Sequence, residues 1–218
     1  MAKQFLVIGA GRFGISVAKT LYGAGHEVMI IDIDEEIIQR ISSDVTNAAQ
    51  ADIASEKTMK SLNIESYDAV VLAISSDMHS SIMAAILLVE LKARYIIAKA
   101  QTELHGRVLK KIGVNRIVYP EQDMGKKLAH SILAPSIVDL FELSDHYSVV
   151  EVTATEELSG KMLSELDMRA RHGVSIIAIR KSDGDGVNIS PRASDRIEKD
   201  DILIAIGSNK DLGVLGWI

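Results

Sequence analysis

Three glycines and two acids pose the first chemical question. Gly9, Gly11 and Gly14 stand in GAGRFG, a G-x-G-x-x-G spacing, and Asp32 follows 18 residues after the last of them. In such a loop the first glycine permits a tight turn. The second lets backbone approach a pyrophosphate, and the third lets helix pack on strand. The helix that follows offers free N–H groups to phosphate. Asp32, at the end of the next strand, can accept hydrogen bonds from ribose hydroxyls and would repel a 2′-phosphate. The pattern therefore points to a dinucleotide or an adenine nucleotide, and away from NADP. Arg12 lies inside the loop, where a guanidinium can reach a terminal or bridging phosphate; a solvated surface arginine is the equal alternative. Asp52 falls where the rim of an adenine pocket would be and could accept from the adenine amine. Capping of a helix that starts near Ser55 competes with that reading.

The loop works only if strands and helices hold it. QFLVIG (4–9) reads as a buried strand, RFGISVAKTLYG as a helix and HEVMIIDI (26–33) as a second strand. DEEIIQRISS is a helix with acids in its first turn. Residues 46–51 form a weak third strand and ASEKTMKSLNI a helix. DAVVLAIS (68–75) is the strongest strand pattern, followed by the long helix MHSSIMAAILLVELKA. RYIIAKA, ELHGRVLKKIG and RIVYP complete the alternation as strand, helix and strand. Near-continuous apolar strands alternating with helices imply a doubly wound, Rossmann-like parallel sheet. After Pro120 the pattern changes. EQDMGKKLAHSILAPSIVDLFEL reads as a helix, a break near Pro135, then a shorter helical or irregular segment. SVVEVTAT (148–155), VSIIAIRK (174–181) and DDILIAIGS (200–208) are strands, LSGKMLSELDMRARHG is mostly helical and SDGDG is a turn. The expected division is 1–135 and 136–218, an α/β nucleotide-binding domain and a smaller α+β domain, joined by ordered structure.

Composition narrows the function classes. The chain has 218 residues, 47% hydrophobic and 25% charged, with net charge −6 and no cysteine. Disulfides, thiolate metal sites and cysteine nucleophiles are excluded, and the negative charge argues against broad nucleic-acid binding. The apolar run FLVI is too short for a signal peptide. The longest apolar stretch, SIMAAILLVEL, is too short to span a bilayer and carries Glu90. The expectation is a cytoplasmic protein without direct membrane insertion. The six histidines, His26, His79, His105, His130, His146 and His172, are scattered. There is no Walker lysine, H-E-x-x-H or nucleophile elbow, so no catalytic residue is assigned.

A wider set of stretches carries a resemblance. GAGRFG, DID at the second strand, AD at 51–52, AKAQ at 98–101 and VLKKIGVNRIVYPEQDMGKKLA at 108–129 resemble the RCK/KTN (TrkA/KtrA) family of regulatory subunits of bacterial potassium transporters, nearest its KtrA branch. LSELDMRARHGVSIIAIRKSDG and ISPRASDRIEKDDILIAIG resemble its C-terminal RCK_C (TrkA-C) domain. The resemblance implies homodimers assembling into a cytosolic octameric ring that gates a membrane potassium-translocating, KtrB-like partner. ATP would favour the active ring and ADP the inactive one; NAD(H) is the alternative proposed for relatives. The resemblance places Gly9, Gly11 and Gly14 at the phosphates and Arg12 at the γ-phosphate, in part across a subunit interface. It places Asp32 at the ribose and Asp52 at the adenine. Phe13 and Lys99 complete the candidate nucleotide set. Glu121, in YPEQDMG, matches a glutamate that helps bind an activating divalent cation (Mg) between subunits; its local alternative is an acid favoured by a helix N-terminus. Residues 123–134 would be a crossover helix that swaps onto a neighbour. In the C-terminal domain, cyclic di-AMP would meet Arg169 at a phosphate, Ile176 at a base and Pro191 as a wall, with Arg171 and His172 adding positive charge. Ser175 stands where some relatives carry asparagine.

Two other functions fit the glycine loop. One is an NAD-dependent oxidoreductase with a small substrate domain, which lacks an acid/base constellation here. The other is a redox-sensing transcriptional regulator, which lacks a basic helix-turn-helix.

Overall fold

QFLVI becomes β1 (Gln4–Ile8), fully buried over its last three residues. The structure is a computed structural model that describes the chain apart from residues 54, 75–76, 134–136 and 185 and the side chains of 130 and 131. Two compact units divide the chain, Met1–Glu121 and Gln122–Ile218.

In the first unit β1 leads into α1 (Arg12–Gly23), β2 (Glu27–Asp32), α2 (Glu35–Ile41), β3 (Asn47–Gln50), α3 (Glu56–Ser61) and β4 (Ala69–Leu72). α4 (Met78–Glu90), β5 (Ile96–Lys99), α5 (Glu103–Ile112), β6 (Arg116–Val118) and the start of α6 (Pro120–Leu133) follow. All six strands pair in parallel in the order β3-β2-β1-β4-β5-β6, the doubly wound sheet the sequence predicts. Alternate residues of the strands face opposite ways. Leu6, Ile8, Val70, Leu72 and Ile96 join one core cluster with residues of α4 and α5. Val7, Ile30 and Val71 join another with Ala18 of α1 and Ile38 of α2. Each helix after the first starts on a side-chain cap where the sequence offers one. Asp34 accepts from the N–H of Ile37, Ser55 from that of Thr58, and Thr102 from that of His105.

The second unit contains β7 (Ile137–Ser144), β8 (Tyr147–Thr153), α7 (Leu163–Leu166), α8 (Met168–His172), β9 (Ser175–Arg180), β10 (Val187–Asn188), β11 (Ile202–Ser208) and α9 (Asn209–Val214). Its sheet is antiparallel, ordered β10-β9-β11-β8-β7. Val150, Val152, Ile179, Leu203, Ala205, Leu212 and Trp217 build its core. One expectation is corrected here. Residues 137–144, read as helical or irregular, are a strand. Its pairing with β8 shifts between Ile137 and Asp139 and again between Glu142 and Ser144, and such bulges break the two-residue alternation that marks a strand. LSGKMLSELDMRARHG, expected to be mostly helical, holds two short helices, interrupted at Asp167, whose φ of +43° ends one helix and begins the next. The expected break near Pro135 lies outside the described residues.

Candidate functional site

The chain leaves β1 through Gly9 at φ +102°, where a side chain would meet the backbone of Ala73 at 3.0 Å. A β-carbon on Gly14 would lie 1.9 Å from the carbonyl oxygen of Gly9, so α1 can approach β1 only with hydrogen there. In front of Gly11 the space is open. Gly11 is also the N-cap of α1, and it supplies no side-chain acceptor to the first N–H groups of the helix. Those donors and the helix dipole together favour an anion.

Asp32 ties this turn to β2. Its Oδ2 accepts from the N–H of Ala10 at 2.5 Å and its Oδ1 from the N–H of Asp34 at 3.0 Å. Both oxygens keep acceptor capacity for a ribose. A cavity of about 420 Å³ opens here, bringing together Gly9, Gly11, Asp32 and Asp52 with apolar Ile33, Ile53 and Ile74. Apolar walls beside a few polar groups suit a purine. Ser55, not Asp52, caps α3 through its side chain, which removes the competing reading of Asp52. Asp77 and Ser80, which no motif marked, also line the cavity. Asp77 caps α4, accepting from the N–H groups of His79 and Ser80 at 3.0 Å and from the Ser80 hydroxyl at 2.5 Å. That hydroxyl, then the two N–H groups, lower its pKa. An acid placed just before the long helix pattern was the available signal.

Arg12 is exposed and lines a neighbouring groove of about 370 Å³ with Ile15, Lys19, Ile37 and Arg40. Lys19 is engaged by Asp44 at 2.6 Å. A third group gathers Phe13, Lys99 and Glu121. The Lys99 ammonium donates to Glu121 Oε1 at 2.5 Å and lies 6.0 Å from the centre of the Phe13 ring. The hydrogen bond from Lys99 lowers the pKa of Glu121.

In the second unit the candidate residues sit on three separate elements. Arg169 is exposed on α8, Ile176 is half-buried on β9 and Pro191 lies in the loop after β10. Ile176 also packs against the core of this unit. Fully buried Asp201 ties the far end of that loop to the end of β9: it accepts from Lys181 Nζ at 2.8 Å and from the N–H groups of Ser182 and Glu198 at 3.1 and 2.9 Å. Burial pushes the Asp201 carboxyl up, but Lys181 and the two N–H groups outweigh it and hold the pKa below the usual value.

Among the described residues no group of three or more His, Asp or Glu side chains could hold a metal ion. His105 is buried, its pKa lowered by that burial, and its Nδ1 accepts from the N–H of Gln101. No described helix is long and apolar enough to cross a membrane.

Comparison with known proteins gives this geometry a lineage. The TrkA-N domain matches residues 5–120 and the TrkA-C domain residues 147–215. The chain belongs to the TrkA/KtrA family. It is 42% identical over 212 residues to the Ktr system potassium uptake protein C of Bacillus subtilis (strain 168), covering 97% of this chain and 95% of that one. It is 41% identical over 210 residues to the Ktr system potassium uptake protein A of the same organism, covering 96% and 94%. The solved GsuK RCK domain superposes with TM-score 0.72 at 16% identity, over all of this chain and 47% of the other. The glycine turn, Asp32, Asp52, Lys99 and Pro120 all fall within the TrkA-N match. Arg169, Ile176 and Pro191 fall within the TrkA-C match.

Proposed function

We propose that this chain is a regulatory, gating subunit of a Ktr-type potassium uptake system, without turnover of its own. On this reading it works at the cytoplasmic face of a membrane, docked on a KtrB-like potassium-translocating subunit. The observation that carries the reading is the cavity in which Gly9, Gly11, Asp32 and Asp52 meet beside the uncapped start of α1. It fits ATP or ADP: phosphates on the turn and N–H groups, ribose on Asp32, adenine between the isoleucines and Asp52. The functional boundary follows α6, with 1–135 the nucleotide domain and 136–218 the RCK C-terminal domain.

Assembly follows from α6. Met124, Leu128 and Ile132 recur at four-residue spacing and are exposed, an apolar stripe suited to a second copy. The functional unit is then a homodimer, closing into an octameric ring. Glu121 offers a cation one carboxylate, and Lys99 holds one of its oxygens. A divalent ion such as Mg would therefore need further ligands from a second copy or a nucleotide. There it would neutralise charge between subunits. In the second unit, cyclic di-AMP is the ligand for Arg169, Ile176 and Pro191.

A nucleotide can shift a ring between two shapes only if it binds them unequally. Arg12, exposed beside the turn, supplies that difference if a neighbour's γ-phosphate recruits it. Arg12→Ala is then expected to abolish the difference between ATP and ADP in potassium-flux assays; an unchanged difference sinks the role of Arg12. Calorimetric titration of nucleotide-stripped protein with ATP, ADP, NADH and cyclic di-AMP tests the whole reading. Tight ATP and ADP binding with weak NADH supports it, with cyclic di-AMP giving a separate isotherm. Tight NADH with weak ATP returns a redox enzyme or sensor to the front.

A further inference from the structure

Among the described residues of the first unit, Lys99 carries a buried ammonium. Its side chain is 7% exposed, while the side chain of its partner Glu121 is 73% exposed. A buried ammonium needs an anionic partner, whereas an exposed carboxylate can be given back to water at small cost. The pair is therefore asymmetric: the lysine is fixed and the glutamate is replaceable. Lys99 ends β5, two strands from β1 in the sheet order, which is roughly 10 Å at ordinary strand spacing. A lysine side chain spans much of that distance, and the ammonium already lies 6.0 Å from the ring of Phe13, the second residue of α1. An anion extending beyond the glycine turn is the other partner within reach.

We propose that Lys99 exchanges partners: it holds Glu121 when the turn is empty and the terminal phosphate of a nucleoside triphosphate when it is filled, so the triphosphate releases Glu121. The exchange rests on the nucleotide reading of the glycine turn and deepens it. A diphosphate ends one phosphoryl group short and leaves the Lys99–Glu121 pair intact. Lys99 thus reads phosphate number within a single chain, separately from Arg12. The freed carboxylate belongs to the second residue of α6, a helix whose later turns lie in the other unit. The ligand's length is thereby converted into a charge appearing at the start of α6.

The test is calorimetric titration of the full chain and two variants with ATP and with ADP, in EDTA to remove divalent ions. In Glu121→Gln the phosphate no longer competes with a carboxylate. ATP binding is expected to tighten by about tenfold and ADP binding by about twofold or less, as for loss of one charge-assisted hydrogen bond. Lys99→Met is expected to cut the preference for ATP over ADP to the share that Arg12 supplies, and adding Glu121→Gln to it to change nothing further. An unchanged ATP-to-ADP ratio in Glu121→Gln, with ATP still bound, overturns the exchange and leaves the nucleotide reading standing. Failure of the unaltered chain to bind either nucleotide overturns both. If Lys99→Met melts early, the exposed Glu121→Gln decides alone.

Discussion

In the first unit all six strands run the same way, so the loops after β1, β2, β3 and β4 meet at one edge, and each gives residues to the same cavity. In the second unit neighbouring strands run in opposite directions and their ends are divided between two edges. Its candidate residues come from a helix, a strand interior and a loop. A parallel sheet concentrates a site at the carboxyl ends of its strands whatever the loops contain. An antiparallel sheet has no such focus, and a ligand there must be met by residues brought together by packing, or by a second chain. The fastening differs too. The first site is set by hydrogen atoms where side chains would clash; the second unit's loop is held by carboxylates, Asp195 within it and buried Asp201 at its end.

Mutations that attack each fastening should act on one unit and spare the other. Gly14→Val puts a side chain into the Gly9 carbonyl and is expected to abolish ATP binding and destabilise the first unit by about 3 kcal/mol or more. Scanning calorimetry should show one transition falling and the other holding. A joint fall would break the comparison, because the units would then be one cooperative body. Next in size, Asp201→Ala takes the acceptor from the N–H groups of Ser182 and Glu198 and leaves the Lys181 ammonium only the Arg196 carbonyl. It is expected to cost the second unit about 3 kcal/mol in urea unfolding, with ATP affinity unchanged. The Asp201 pKa is lower in the folded chain than the unfolded value of about 4. Its contribution is therefore complete above that pH and lost as pH falls through the folded value. Asp201→Asn should flatten that acid limb in a series of melts between pH 5 and pH 2, values of about the range where such carboxylates titrate.

A smaller effect sharpens the picture inside the first unit. Asp32→Ala removes the acceptor for Ala10 and Asp34 and the proposed ribose contact; ATP binding measured by calorimetry should weaken about tenfold. Thr102→Ala removes only the cap of α5. About 1 kcal/mol should go from the first unit, with nucleotide affinity untouched, because α5 gives no residue to the cavity.

The same contrast decides what could be read from the sequence. Every strand of the first sheet and its glycine turn were legible, because buried parallel strands are apolar runs and the motif is local. Asp77 was missed because an acid before a helix signals only a cap, which Asp77 is; facing a cavity is a property of the fold. β7 was missed because two bulges in eight residues erase the alternation. The Lys99–Glu121 pair spans 22 positions in the chain, and no local pattern announces a contact between the end of β5 and the start of α6. Asp201 reads as one of two successive acids before a strand, and only burial separates it from exposed Asp200.

The sheet order also has a history in time. β1 lies between β2 and β4, and Gln4 and Asp68, hydrogen-bonded beside that pairing, are 64 residues apart. During translation at about 5–20 residues per second, this central strand of the sheet waits several seconds for its second neighbour. Until β4 leaves the ribosome, one flank of QFLVI is an open row of backbone donors and acceptors, the kind of edge on which nascent chains cling to one another. Expression yield should then depend on how fast the ribosome crosses the codons between β2 and β4.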